Sequence, residues 1–312
     1  MKEISVVIPI LNEAENIPGL TEKLRAVLAP YSYEVIWVDD GSTDDSIAVF
    51  RKIGDQHTRV ISLSRNFGQT AALAAGIDAA EGTFIVTLDG DQQNNPSDIP
   101  AMLELLKGDD WDIVAGYRKD RKDSFLRTMP SRFANLLIRR ISGVTVRDYG
   151  CSLKVFRNTF AKSLELHGEL HRFIPILATM QGARITDMEV SHAPRRFGKS
   201  KYGLGRTMKV LSDLFLLFFF QKYLRRPIHF FGPLGLITLL AGTAISVYLL
   251  ALKIAGEDIW GRPLLILGVS LALAGIQFLT FGLLAELMMR LYYSSGRKPY
   301  TIKHTFIGST RA

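Results

Sequence analysis

Asp89-Gly90-Asp91 sets two carboxylates two positions apart, directly after an apolar run. Carboxylates at i and i+2 in a turn can hold one divalent cation of the hard, oxygen-seeking kind, Mg2+ or Mn2+. Gln93 can add a neutral oxygen. A cation there suits a nucleotide diphosphate, whose negative charge grows as its bond to carbon breaks. A second acidic pair, Asp39-Asp40, also closes an apolar run. A carboxylate in that place can accept hydrogen bonds from a base N–H or a ribose hydroxyl. Other chemistries lack their residues. No Gly-x-Gly-x-x-Gly follows the first apolar run and no Walker A segment occurs, so dinucleotide oxidoreductases and P-loop ATPases lose their main support. His167 and His171 are four apart without the His-Glu-x-x-His context of a zinc site, and Cys151, the single cysteine, reads as a small buried residue.

Carboxylates so far apart in the chain act together only if the fold brings them to one rim. Apolar runs predict strands over 4–10, 34–38, 60–63, 83–88 and 112–116, with helices over 14–29, 46–53, 69–80 and 97–106 between them. A basic helix over 124–142 and a strand over 186–192 are expected further on. Strands alternating with helices imply an α/β fold with a parallel sheet covered on both faces. Ligands of such sheets bind beyond the carboxyl ends of the strands. Residues 9–13, 39–40 and 89–93 all fall at those ends.

The 312-residue chain is 47% hydrophobic yet 22% charged, so the two kinds of residue must be segregated. Residues 227–252 and 263–289 are each longer than the roughly 20 residues that cross a bilayer, and a short polar loop joins them. Two such spans make a transmembrane hairpin. Residues 206–226, with Phe218-Phe219-Phe220 among flanking bases, read as a helix lying at the membrane interface. The +8 charge gathers near the apolar blocks, at Arg225, Arg226, Arg290, Arg297 and Lys298, which favours a membrane surface over nucleic acid. Those bases outnumber Lys253 and Arg262 in the loop, so the positive-inside rule puts both termini in the cytoplasm. Ile4 to Leu11 is too short and too quickly polar for a secretory leader, so the main domain, residues 1–205, is expected on the same side, with 291–312 as a cytoplasmic tail.

Val-Val-Ile-Pro-Ile-Leu-Asn-Glu13, Val-Asp-Asp-Gly-Ser42, Leu-Ser-Arg-Asn-Phe-Gly68 and Leu-Asp-Gly-Asp-Gln-Gln93 together resemble the family 2 glycosyltransferases of the GT-A fold. Asp148-Tyr-Gly-Cys151, Phe173-Ile-Pro-Ile-Leu177 and Arg195-x-Phe-Gly-x-Ser-Lys201 narrow the likeness to the polyprenyl-phosphate branch. That branch includes the undecaprenyl-phosphate 4-deoxy-4-formamido-L-arabinose transferases, and the dolichol-phosphate mannose synthases share its core. The resemblance implies a Rossmann-like, mostly parallel sheet followed by the membrane hairpin. It implies inverting transfer of a sugar from a nucleotide donor, a UDP-sugar before GDP-mannose, to polyprenyl phosphate in a bacterial inner membrane. By the same resemblance Pro9, Leu11, Glu13 and Asp40 would line the nucleoside pocket, and Asp89, Asp91 and Gln93 would hold Mg2+ or Mn2+. Arg118 would lie near the donor, Arg127 and Ser131 at the acceptor phosphate, and Arg195 with Lys201 over the phosphates.

One departure concerns the metal loop. Relatives often read Asp-Ala-Asp-Leu-Gln followed by prolines, whereas this chain has Asp89-Gly-Asp-Gln-Gln-Asn-Asn-Pro96. The ligands stay in place and the stiffness of the loop becomes the question. A processive polysaccharide synthase would bring Gln-x-x-Arg-Trp and more spans, neither of which is present. A membrane-tethered nucleotide-binding scaffold without turnover, and a GDP-mannose-dependent mannosyltransferase, stand as the alternative readings. The sequence leaves homo-oligomerisation open.

Overall fold

The computed structural model describes residues 2–119, 146–164, 166, 170–194, 227–295 and 299–308. The chain forms two compact units, Met1–Leu214 together with Lys298–Ala312, and Phe215–Arg297. The expected basic helix over 124–142 and the interfacial helix over 206–226 lie outside the described residues.

In the first unit β1 (Ile4–Ile10), α1 (Ile17–Leu28), β2 (Tyr33–Asp39), α2 (Ser46–Ile53), β3 (Thr58–Leu63), α3 (Gln69–Ala79), β4 (Phe84–Thr87), α4 (Ile99–Gly108) and β5 (Ile113–Tyr117) alternate as the apolar runs predict. The parallel register runs Val6 beside Val35 and Val86, and Trp37 beside Val60. Every residue of β1 and β2 is buried, as strands covered on both faces must be. One face packs Ile4, Val6 and Ile8 against Leu20 and Leu24 of α1, Phe50 of α2 and Met102 and Leu106 of α4. The other packs Val7, Ile36 and Val38 against Ala72, Ala75 and Ile77 of α3. The chain steps from β1 to β2 to β3 in one direction and back across to β4, and right-handed crossovers therefore put α3 on the opposite face from α1 and α2.

The sheet is not purely parallel. Its order is β7-β5-β6-β4-β1-β2-β3-β8. β6 (Lys154–Arg157) runs antiparallel between β4 and β5, and β7 (Ile185–Glu189) lies parallel to β5. Two short helices, α5 (Asn158–Ser163) and α6 (Ile174–Met180), flank this half. Sequence periodicity misses β6 because four residues with a charge at each end show no alternation. The expected tail over 291–312 also needs correction. β8 (Ile302–Ile307) pairs antiparallel with β3 and forms the sheet edge. Its exposed residues include Lys303, a charge that discourages further pairing at an edge strand.

The second unit holds α7 (Ile228–Ile254) and α8 (Pro263–Ser295). Twenty-seven residues of each are apolar enough to cross a membrane, and only 17% and 11% of their most apolar stretches are buried, which sets them apart from core helices. Gly235 and Gly242 on α7, and Gly268, Gly275 and Gly282 on α8, recur every seven residues and lie on the contact between the two helices. A Cβ on Gly235 would stand 2.9 Å from the Gly275 carbonyl, and one on Gly242 would stand 2.6 Å from the Gly268 carbonyl. The two backbones approach as closely as small residues permit, the way apolar helices associate without a hydrophobic drive.

Candidate active site

The loops after β1, β2 and β4 meet at one rim because their strands are adjacent and parallel. Pro9 costs the sheet nothing. The Val7 carbonyl faces β4 and the Ile10 carbonyl faces β2, so the missing N–H of Pro9 points to the β4 side, where that ladder has already ended at Val7 beside Thr87. Past it the chain turns at Asn12, which holds a left-handed φ of 56°. Asn12 is cross-linked to the β2 loop: its amide donates to Ser42 Oγ at 2.9 Å and its Oδ1 accepts from the Thr43 amide at 2.8 Å. Leu11 and Glu13 are half-buried beside it, and Glu13 accepts from Asn16 Nδ2 at 2.5 Å.

Asp40 is buried, and both its oxygens face inward. They accept from the amides of Phe67 at 2.7 Å and Gly68 at 2.9 Å. The side chain expected to meet a nucleoside therefore first builds the wall of the pocket, by holding the 64–68 loop against β2. Gly41 makes that approach feasible. Its φ is 78°, and a Cβ there would lie 2.8 Å from the backbone of Arg65 and Asn66.

The loop after β4 carries Asp89 and Asp91, both half-buried. Gln69 Nε2 donates to Asp89 Oδ1 at 2.8 Å, and Asp91 Oδ1 accepts from the Gln93 amide at 3.2 Å. Burial and then the neighbouring Asp91 carboxylate push Asp89 up to about 6, against the pull of Ser152, Lys154 and Arg118. A carboxylate pair that resists full ionisation is short of positive charge, which a divalent cation supplies. Among the described residues no three His, Cys, Asp or Glu side chains cluster. The protein thus offers two carboxylates, a donor set that suits Mg2+ or Mn2+ sharing its remaining positions with substrate phosphates and water.

The question of loop stiffness is answered by the two departures themselves. A Cβ on Gly90 would meet Ile10 Cγ2 at 2.7 Å, so the glycine lets the loop sit down on the end of β1. Gln92 holds a left-handed φ of 59° and turns its side chain into the fold. Its Nε2 donates to the Asn16 carbonyl at 3.0 Å, and its Oε1 accepts from Lys23 Nζ at 3.2 Å. The backbone of Gln93 is fixed as well, its carbonyl accepting from the Ala193 amide at 2.8 Å.

β6 begins with Lys154, which the motifs gave no reason to expect, and the segment ahead of it carries Asp148 to Arg118, the residue expected near the donor. Arg118 forms a two-pronged pair with Asp148, at 2.7 and 3.2 Å. Lys154 is buried, and its ammonium donates to the Cys151 carbonyl. Burial lowers its pKa below the ordinary lysine value, a shift opposed by Cys151, Asp148 and Asp89. Burial also pushes the Cys151 thiol up, which leaves it a poor nucleophile. Arg127, Ser131, Arg195 and Lys201 lie outside the described residues.

The raised Asp89 gives a pH dependence. Below about 6 the folded protein holds a proton on Asp89 that the unfolded chain, near 3.8, gives up, so this group favours the metal-free fold as pH falls toward 3.8 and disfavours it above 6. A cation must displace that proton. The rise in melting temperature on adding Mn2+ is therefore expected to be large at pH 7.5 and to shrink through pH 6 toward pH 5. Scanning calorimetry with and without Mn2+ measures it, and a shift that grows on acidification contradicts the assignment.

Residues 5–165 match the family described as Glycosyl transferase family 2. Over 99% of its length the chain is 45% identical to dodecaprenyl-phosphate galacturonate synthase of Rhizobium johnstonii, covering 95% of that protein. It is 34% identical, with the same coverage of each, to undecaprenyl-phosphate 4-deoxy-4-formamido-L-arabinose transferase of Yersinia pestis. Among solved structures, glucosyl-3-phosphoglycerate synthase of Mycobacterium tuberculosis, crystallised with Mn2+ and UDP-glucose, superimposes with a TM-score of 0.53 at 20% identity. That superposition spans 70% of this chain and 79% of the other, a likeness of fold.

Proposed function

The chain belongs to glycosyltransferase family 2, and from that premise we propose that it transfers a sugar from a UDP donor to a polyprenyl phosphate with inversion at the anomeric carbon. The full-length likeness to two synthases named for polyprenyl-phosphate products carries this reading, since it runs through the hairpin as well as the sheet. The stronger likeness to the galacturonate synthase favours a uronic acid as the sugar.

The acceptor needs little activation. A phosphate monoester is mostly doubly ionised at neutral pH, its second pKa lying near ~6. One of its oxygens forms the bond to the anomeric carbon, the bond from that carbon to the diphosphate breaks, and the electron pair leaves with the nucleoside diphosphate. Positioning and charge balance are what the protein must contribute. In this reading Pro9, Leu11, Glu13 and the loop held by Asp40 seat the nucleoside, and Arg118, fixed by Asp148, faces the donor. Bound by Asp89, Asp91 and Gln93, Mg2+ or Mn2+ would offset the charge gathering on the departing diphosphate. Arg127 and Ser131 take the acceptor phosphate, and Arg195 and Lys201 close over the donor phosphates. Guanidinium forks suit such oxygens.

The acceptor phosphate lies at the bilayer surface and its tail stays in the lipid, so α7 and α8 serve to anchor the chain in the same membrane. Both flanks of the hairpin belong to the sheet-bearing unit, which supports an even number of crossings, and the bases flanking the hairpin support the cytoplasmic side for the catalytic domain and both termini.

A donor panel tests the proposal. Full-length protein in detergent receives undecaprenyl phosphate, Mn2+ and, separately, UDP-galacturonate, UDP-glucuronate, UDP-glucose, UDP-N-acetylglucosamine, UDP-formamidoarabinose or GDP-mannose. Mass spectrometry is expected to find a glycosyl lipid from a UDP-uronate. A product from another donor corrects the sugar. No product from any donor, with nucleotide still bound, moves the reading to a tethered nucleotide-binding scaffold.

A further inference from the structure

We propose that Gln69 is a positioning residue that orients the Asp89 carboxylate for the cation and ties it to the loop held by Asp40. Three observations place it there. Its Nε2 lies 2.8 Å from Asp89 Oδ1. It is the first residue of α3, directly after the Phe67 and Gly68 amides that Asp40 accepts. The start of that helix is rigid, since Thr70 is buried and bonded to His171 Nδ1 at 2.8 Å. A carboxylate that coordinates through one oxygen rotates about its χ2 unless the group is held elsewhere, and a fixed amide donor supplies that hold. Gln69 thus belongs to the metal site without being a ligand, and it joins the end of the pocket proposed for the nucleoside to the end proposed for the cation.

This rests on Asp89 and Asp91 being the metal ligands, and the test separates the two ideas. Full-length protein in detergent is titrated with Mn2+, with UDP and separately with GDP, and bound ion is counted from the electron paramagnetic resonance signal of free Mn2+. Gln69→Met keeps the volume and removes the donor, and Gln69→Ala is a second variant at a helix position where alanine is well tolerated. Both are expected to weaken Mn2+ binding about tenfold or more, the usual consequence of losing an outer-shell partner, with the melting temperature of the metal-free protein unchanged. Wild-type affinity in both variants, while Asp91→Ala abolishes binding, overturns the role of Gln69 alone. Wild-type affinity in Asp91→Ala as well, or no Mn2+ bound by the wild type with either nucleotide, overturns the metal site and this inference with it.

Discussion

Asp91→Ala is expected to cut formation of the glycosyl lipid by at least about a thousandfold, roughly 4 kcal/mol of transition-state stabilisation. At the proposed metal site two carboxylates would hold the cation, and removing one would leave Asp89 to hold it with a neutral partner. The loss should not come from unfolding. Asp91 is half-buried, and it is one of the two causes that push Asp89 upward. Its removal relieves that repulsion, so the metal-free variant is expected to melt no lower than the wild type while losing the rise that Mn2+ gives. Product formation by mass spectrometry and melting with and without Mn2+ read the two halves separately. Activity within tenfold of wild type, or a collapse of the metal-free protein, would remove the case for a metal pair at this rim.

The second large effect is expected far from the carboxylates. Deleting residues 299–312 removes β8, and lipid glycosylation should fall about a hundredfold or more, the scale on which a misplacement of about 1 Å acts. β8 covers the edge of β3, and just beyond that ladder Ser64 donates to the Thr301 carbonyl at 2.9 Å. Ser64 begins the segment that carries Phe67 and Gly68 to Asp40 and Gln69 to Asp89. At the far end of α3, Tyr300 is buried and its hydroxyl donates to Asp78 at 2.6 Å. The deletion thus loosens the pocket wall and the helix behind it while leaving every proposed ligand in the chain. Limited proteolysis should show new cleavage within 64–68 of the deleted protein. Activity equal to wild type would mean that the edge strand is ornamental.

The sequence exposed some layers of this arrangement and hid others. β1, β2 and β4 were readable because both of their faces are buried and their residues are apolar almost without interruption. Their order along the chain was enough to bring 9–13, 39–40 and 89–93 to one rim. Asp40 was found, but its inward engagement was not, because the partners are backbone amides that leave no trace in side-chain spelling. Gly90 and Gln92 left the stiffness of the metal loop open in the sequence, and the packing on Ile10 and the bonds to Asn16 and Lys23 make them its fastenings. Lys154 stayed invisible because a lysine in a four-residue strand looks like a solvated charge until its neighbours are known. β8 was hidden for a related reason: only its pairing partner, some 240 positions earlier, makes it a strand.

That long separation bears on how the enzyme is made. β8, the partner of β3, is synthesised long after it, and the whole hairpin lies between them. Closing so long a loop in a disordered chain is entropically costly and slow. A hairpin already folded in the bilayer returns the chain close to where it left and shortens the loop that must close. On the proposed topology, insertion therefore precedes completion of the sheet, and a chain that misses the membrane remains with an open edge and an unsupported pocket wall. Assembly itself then confines sugar transfer to the surface where the acceptor lipid is found.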